Sequence, residues 1–205
     1  LIWGGSAGVI FSFLVEMAIP ASEFVTMAIV APLAEELAKA SVFILVATGA
    51  RKLELTSLTD HIFYAGICAL GFAFVENLGY FALSSSAGEF VVMALVRTGF
   101  GVFGHPLYTT ATAVGIWAWR TKGGLWKAAV GYIAACLLHG LWNGGPTLLA
   151  GSLGLDDTGQ LAAMILVYIV LFVPVFIGTI IMTTRNRRNE YEAVRSQPCL
   201  LYTSL

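Results

Sequence analysis

Ala31-Pro-Leu-Ala-Glu35-Glu36-Leu-Ala-Lys39-Ala40 sets three ionisable side chains within five positions of an apolar run. On one side stands Val25-Thr-Met-Ala-Ile-Val30, on the other Ser41-Val-Phe-Ile-Leu-Val46. A charged group at the centre of a bilayer costs about 2.5–3.5 kcal/mol on insertion scales. Two adjacent carboxylates therefore persist there only if other helices answer them. Whether this run lies in a membrane is decided by the rest of the chain. Of 205 residues, 58% are hydrophobic and 11% charged, where a soluble domain carries about 25% charged residues. The mean hydropathy is +0.84. A soluble protein this apolar would expose patches large enough to aggregate, so the class is a polytopic membrane protein. A net charge of −1 gives no support to nucleic-acid binding. The three cysteines, Cys68, Cys136 and Cys199, show neither pairing nor metal spacing. The chain opens at Leu1 inside an apolar run, so further sequence upstream is expected, and no cleavable signal peptide is assigned.

A helix crossing the hydrocarbon needs about 20 mostly apolar residues. Six segments qualify: Ile2 to Ile19, Phe24 to Thr48, His61 to Leu83, Phe90 to Trp119, Leu125 to Leu149 and Leu161 to Thr184. The fourth is too long for one upright span and is expected to kink at His105-Pro106 or to extend beyond the bilayer. Gly144-Gly145-Pro146 is expected to end the regular part of the fifth. Arg51 and Lys52, then Arg120, Lys122 and Lys127, then Arg185, Arg187 and Arg188 fall in alternate connections, and the intervening ones hold no Lys or Arg. By the positive-inside rule the basic side is cytoplasmic and both ends of the chain face it. Trp117, Trp119 and Trp126 suit the inner interface. The expected fold is an all-α transmembrane bundle over residues 1–189, with a cytoplasmic tail at 190–205.

Four successive helices bring polar residues into this setting. The second carries Glu35, Glu36 and Lys39, the third Glu76 and Asn77, the fourth Arg97, His105 and Thr109, the fifth His139 and Asn143. The pairs Glu35/Lys39, His105/Thr109 and His139/Asn143 are each i and i+4, so each shares one helix face. The first helix adds only Glu16, near an end. One polar chamber between helices two to five follows. Each residue has a bland reading beside the chemical one. Either histidine alone could be a satisfied packing residue, Glu35–Lys39 an inert ion pair, Glu76 a neutraliser of Arg97 or Lys39, and Arg97 an interfacial anchor. Taken together, a carboxylate and an imidazole can activate water, and a histidine with an asparagine can stabilise an oxyanion. Zinc chemistry is a competing use of two histidines and a glutamate. The sequence has no His-Glu-x-x-His, so no metal is assigned. Glu–His chains also relay protons, which leaves open a proton-coupled transporter or channel. A non-catalytic scaffold stays open as well.

Four ordered motifs carry a family resemblance: Pro32-Leu-Ala-Glu35-Glu36-Leu-Ala-Lys39, Gly71-Phe-Ala-Phe-Val-Glu76-Asn77, His105-Pro-Leu-Tyr-Thr109 preceded by Arg97, and His139-Gly-Leu-Trp-Asn143. The set resembles the PrsW family of intramembrane proteases, in the wider clan of CAAX prenyl endopeptidases and bacteriocin-processing enzymes. Lys39 after the paired glutamates and the Glu76-Asn77 motif look more like PrsW than like the prenyl-protein branch. The resemblance implies an enzyme of the cell membrane that cleaves a membrane-anchored protein with no metal or other cofactor. In bacterial members that substrate is an anti-sigma factor. By the resemblance Glu35 is the general base aided by His105, and His139 with Asn143 forms the oxyanion hole. Glu36 and Glu76 tune the site, with Lys39, Asn77, Arg97 and Thr109 in support.

Overall fold

The computed structural model describes residues 3–49 and 55–196. Arg51 and Lys52, two of the basic residues used for orientation, lie outside the described residues, as does 197–205 with Cys199. The described residues form six helices and no strand. We number them α1 (Gly4–Ala18), α2 (residues 23–48), α3 (Leu58–Ala82), α4 (Ala87–Lys122), α5 (Trp126–Leu153) and α6 (Asp157–Ser196). The chain is thus an all-α bundle. By length and hydropathy α3, α4 and the Thr158–Ala193 part of α6 can each cross a membrane, and α1 is apolar but shorter. The two remaining helices, α2 and α5, are made less apolar by buried polar groups. Ala31–Thr48 of α2 holds Glu35, Glu36 and Lys39, and His139 and Asn143 lower the hydropathy of α5.

Helix ends follow local chemistry that apolar run lengths do not reveal. Helix α3 starts before His61 because Ser57 caps it. The Ser57 hydroxyl accepts from the Asp60 amide at 3.0 Å, and the Asp60 carboxylate accepts from the Ser57 amide at 2.7 Å. Ser86 caps α4 in the same way, accepting from the Glu89 amide at 3.2 Å. Helix α5 does not end at Gly144-Gly145-Pro146. It runs through Pro146 to Leu153 and stops at Gly154, whose backbone is left-handed at φ 62°. Helix α6 continues past Thr184, and the exposed pairs Asn186–Glu190 and Arg188–Glu192 support its extension to Ser196. Residues 190–196 of the expected tail are therefore helical.

Three helices carry a π-helical turn, Gly4–Gly8 in α1, Thr26–Val30 in α2 and Arg97–Gly101 in α4. The irregularity expected at His105-Pro106 is thus met one turn earlier in α4. In α2 the turn is followed by Pro32, which has no N–H for the Ala28 carbonyl one turn back. Helix α5 packs directly against that place. Asn143 Nδ2 donates to the Met27 carbonyl at 3.0 Å, and a methyl group on Gly140 would collide with the Ala28 carbonyl. Tyr132 donates its hydroxyl to the Leu33 carbonyl at 2.8 Å. On the other flank of α5, Gly131 meets Gly115 of α4 so closely that a Cβ on either would lie 2.9 Å from the other's Cα. Small residues at such crossings let membrane helices approach. These two seams fix α5 between α2 and α4.

Gly140→Val therefore overpacks the α2–α5 seam. The expected loss is about 1–3 kcal/mol, read as a lower unfolding temperature in detergent. Gly79→Val, at a site with open space around it, should leave that temperature unchanged.

Candidate active site

Helices α2 to α5 bring the predicted polar residues together in one cluster. At its centre is Lys39, with no exposed surface. Its Nζ lies 2.8 Å from Glu36 Oε1, 3.4 Å from Glu35 Oε2 and 2.9 Å from His105 Nδ1. The Phe72 ring closes the fourth side, with its centroid 4.2 Å from the ammonium. The contacts between Lys39 and the two glutamates are set within α2 by i, i+3 and i, i+4 spacing. The His105 contact depends on how α4 packs.

The same geometry assigns hydrogen positions. An ammonium only donates, so His105 Nδ1 accepts and the ring carries its hydrogen on Nε2. That nitrogen lies 2.9 Å from Glu76 Oε2. Glu36, fully buried, only accepts as a carboxylate. It takes Lys39 and His139 Nδ1 (3.1 Å) on Oε1 and the Thr109 hydroxyl (2.9 Å) on Oε2. His139 thus carries its hydrogen on Nδ1 and turns the Nε2 lone pair toward Glu35 Oε2, 3.7 Å away. His105 Nδ1 lies 3.8 Å from the same oxygen. Glu35, His105 and His139 each offer one donor atom, all within 4.8 Å of one another.

The carboxylates are therefore unlike. Glu36 is saturated. Glu76 is clamped between His105 and Arg97, whose Nη2 lies 2.8 Å from Glu76 Oε2. Arg97 also donates from Nε to Asn77 Oδ1 at 2.6 Å and lies over the Tyr80 ring at 3.8 Å. Among the described residues Glu35 has one direct hydrogen bond, from Lys39, at 3.4 Å, the longest around that ammonium. It also opens into a cavity of about 470 Å³ that Glu76 and Asn143 line as well. Asn143 lies one turn from His139 on α5, and its amide is directed to the Met27 carbonyl of α2.

Some participants were not assigned from sequence. Helix α1 lines the cavity with Val9, Ser12, Phe13 and Glu16, so it forms a wall of the approach although the polar cluster comes from helices two to five. Tyr108 is fully buried and stacks on His139 with centroids 4.6 Å apart and planes 17° apart. Its position three residues after His105 was the available signal. Phe72 stands four residues before Glu76, also on a shared face. The third histidine, His61, belongs elsewhere. It is buried near the other end of α3, with Nε2 2.9 Å from Arg120 Nη1 and Nδ1 2.6 Å from the Ser57 carbonyl.

The two adjacent glutamates should differ in stability measurements. Glu36→Gln breaks a buried, fully paired ion and should cost about 3–5 kcal/mol, read by thermal unfolding in detergent. Glu35→Gln loses only the longest contact and should shift the midpoint far less.

Neither the curated proteins nor the solved structures contain a match to the chain. A family model described as PrsW family intramembrane metalloprotease matches residues 1–179. That span takes in α1 to α5, all of the buried cluster and most of the apolar part of α6. The chain belongs to the PrsW family of intramembrane proteases.

Proposed function

We propose that the chain hydrolyses a peptide bond of a membrane-anchored protein, with Glu35 as general base. The observation that carries this reading is the inequality of the three carboxylates: Glu35 alone combines a loose hold with an opening to the cavity. Glu35 Oε2 and the His139 Nε2 lone pair, 3.7 Å apart, are both acceptors. A water giving one hydrogen to each turns an oxygen lone pair outward, as attack on an amide carbonyl requires. Glu35 takes the proton as attack proceeds. Asn143 keeps a second amide hydrogen for the oxyanion, and His139 joins it as a donor when the proton taken by Glu35 is passed to its Nε2. The same proton goes to the amine nitrogen as the C–N bond breaks. Lys39 supplies the fixed positive charge, and Glu76, held by Arg97 and Asn77, fixes the tautomer of His105. Thr109 holds Glu36, and Glu36 holds His139.

The family is described as one of metalloproteases, and the donor set fits a divalent ion. Glu35, His105 Nδ1 and His139 Nε2 would hold it, with Glu76 and Glu36 on the far imidazole nitrogens as in carboxylate–histidine–metal sites. Such an ion supplies Lewis-acid activation of water. The steps above use only side chains of the chain.

The cavity's rim includes Glu16, Glu23 and Leu83, at helix ends opposite the basic residues Arg120, Lys122 and Arg185. With the basic end cytoplasmic, the approach opens on the extracytoplasmic side of the cell membrane. A single-span protein with an extracytoplasmic part, of which an anti-sigma factor is the family's instance, suits that approach.

The test is cleavage of a co-expressed single-span substrate. Loss of a general base lowers a rate about 10²–10⁴-fold, so Glu35→Gln should abolish detectable cleavage while the protein stays inserted and folded. His139→Ala should do the same. Full activity in both variants would overturn the assignment.

A further inference from the structure

We infer that Lys39 is the resident cation of this site, and that a divalent ion enters the Glu35–His105–His139 set only in exchange for its ammonium. The three hydrogens of Nζ have three acceptors, on Glu35, Glu36 and His105. Two of those atoms, Glu35 Oε2 and His105 Nδ1, belong to the converging donor set. The imidazole nitrogen has one lone pair, which cannot serve both an ammonium hydrogen and a metal ion. Two cations about an ion-pair distance apart would also repel strongly in a medium of low dielectric. The third contact gives the exchange a route. Glu36 Oε1 holds Nζ most closely, at 2.8 Å, and lies outside the donor set. The ammonium can stay with Glu36 while releasing His105 and Glu35. Affinity for a divalent ion is then governed by residue 39 and not by the ligands alone. Helix spacing makes this specific, because i+4 from Glu35 is also i+3 from Glu36.

The inference builds on the reading of this cluster as the active site, but its test reads ion binding and not proteolysis, so the two fail separately. Purified protein is titrated with Co²⁺, followed by its visible absorption, and with Zn²⁺ in competition. Wild type and Lys39→Arg should bind weakly. Lys39→Met should bind about tenfold tighter or more, a coupling of ordinary size, and adding His139→Gln should remove the gain. Zn²⁺ should raise the unfolding temperature of Lys39→Met and not that of wild type. Equal affinities of wild type and Lys39→Met would overturn the inference, as would a gain that survives His139→Gln. If Lys39→Met accumulates only when expressed with Zn²⁺ and unfolds on chelation, the exchange is supported. If it never accumulates, wild type decides alone: tight Co²⁺ binding abolished by His139→Gln overturns the inference, and weak binding shared with Lys39→Arg upholds it.

Discussion

The rest of the structure depends on one buried ammonium. Lys39 offsets Glu35 and Glu36 among buried side chains, and its hydrogen on His105 Nδ1 decides the tautomer of that ring. From there the order spreads by donor and acceptor. His105 gives its other hydrogen to Glu76, and Glu76 takes Arg97. Glu36, held by Lys39 and Thr109, takes a hydrogen from His139. Buried polar groups are stable in such networks only when every member is satisfied. The buried Tyr108 hydroxyl is left without a hydrogen-bond partner among the described residues, and Glu35 is the carboxylate with the loosest hold that meets the cavity.

The backbone serves this network by close approach. Gly140 and Asn143 lay α5 on the π-helical turn of α2, and the Gly115–Gly131 crossing lays it on α4. Histidine and glutamate thus meet across helices at hydrogen-bond distance. The Tyr108 ring, stacked on His139, removes the imidazole's freedom to tilt. Tight backbone contact also sets a limit: a helix seam that admits no Cβ leaves little room to slide, so the geometry around Glu36 is rigid. Helix α1, which supplies one cavity wall, is held on α3 by the same device, since a methyl group on Gly4 would collide with the Cys68 carbonyl and one on Gly5 with the Gly71 carbonyl.

Much of this was legible in the sequence, for a physical reason. In a membrane, polar residues are so costly that their mere presence marks the site, and i, i+4 spacing tells which of them share a face. Glu35, Glu36, Lys39, Glu76, His105 and His139 were found in that way. The choice among the carboxylates was not legible, because it depends on distances between helices. Nor was the orientation of His139. Its Nδ1 is committed to Glu36, so it faces Glu35 as an acceptor. Helix ends were misjudged where capping or ion pairing overrode hydropathy, at Ser57 and beyond Thr184. Pro146 misled because a proline inside a packed membrane helix need not end it. Tyr108 and Phe72 went unnoticed because an aromatic residue in an apolar run carries no signal of its own.

The π-helical turns of α2 and α4 bear on how such a chain can vary. Each amounts to one extra residue wound into an otherwise regular helix, and one residue advances the facing direction by about 100°. The turn at Thr26–Val30 therefore resets the phase of α2 between the rim of the cavity and the glutamates, and the turn at Arg97–Gly101 does the same for α4 between Ala87 and His105. Each helix shows one face to the approach and another to the cluster. In α2 the length of the turn, more than the letters in it, holds Glu35 in register, whereas the turn in α4 also supplies the Arg97 side chain that meets Glu76.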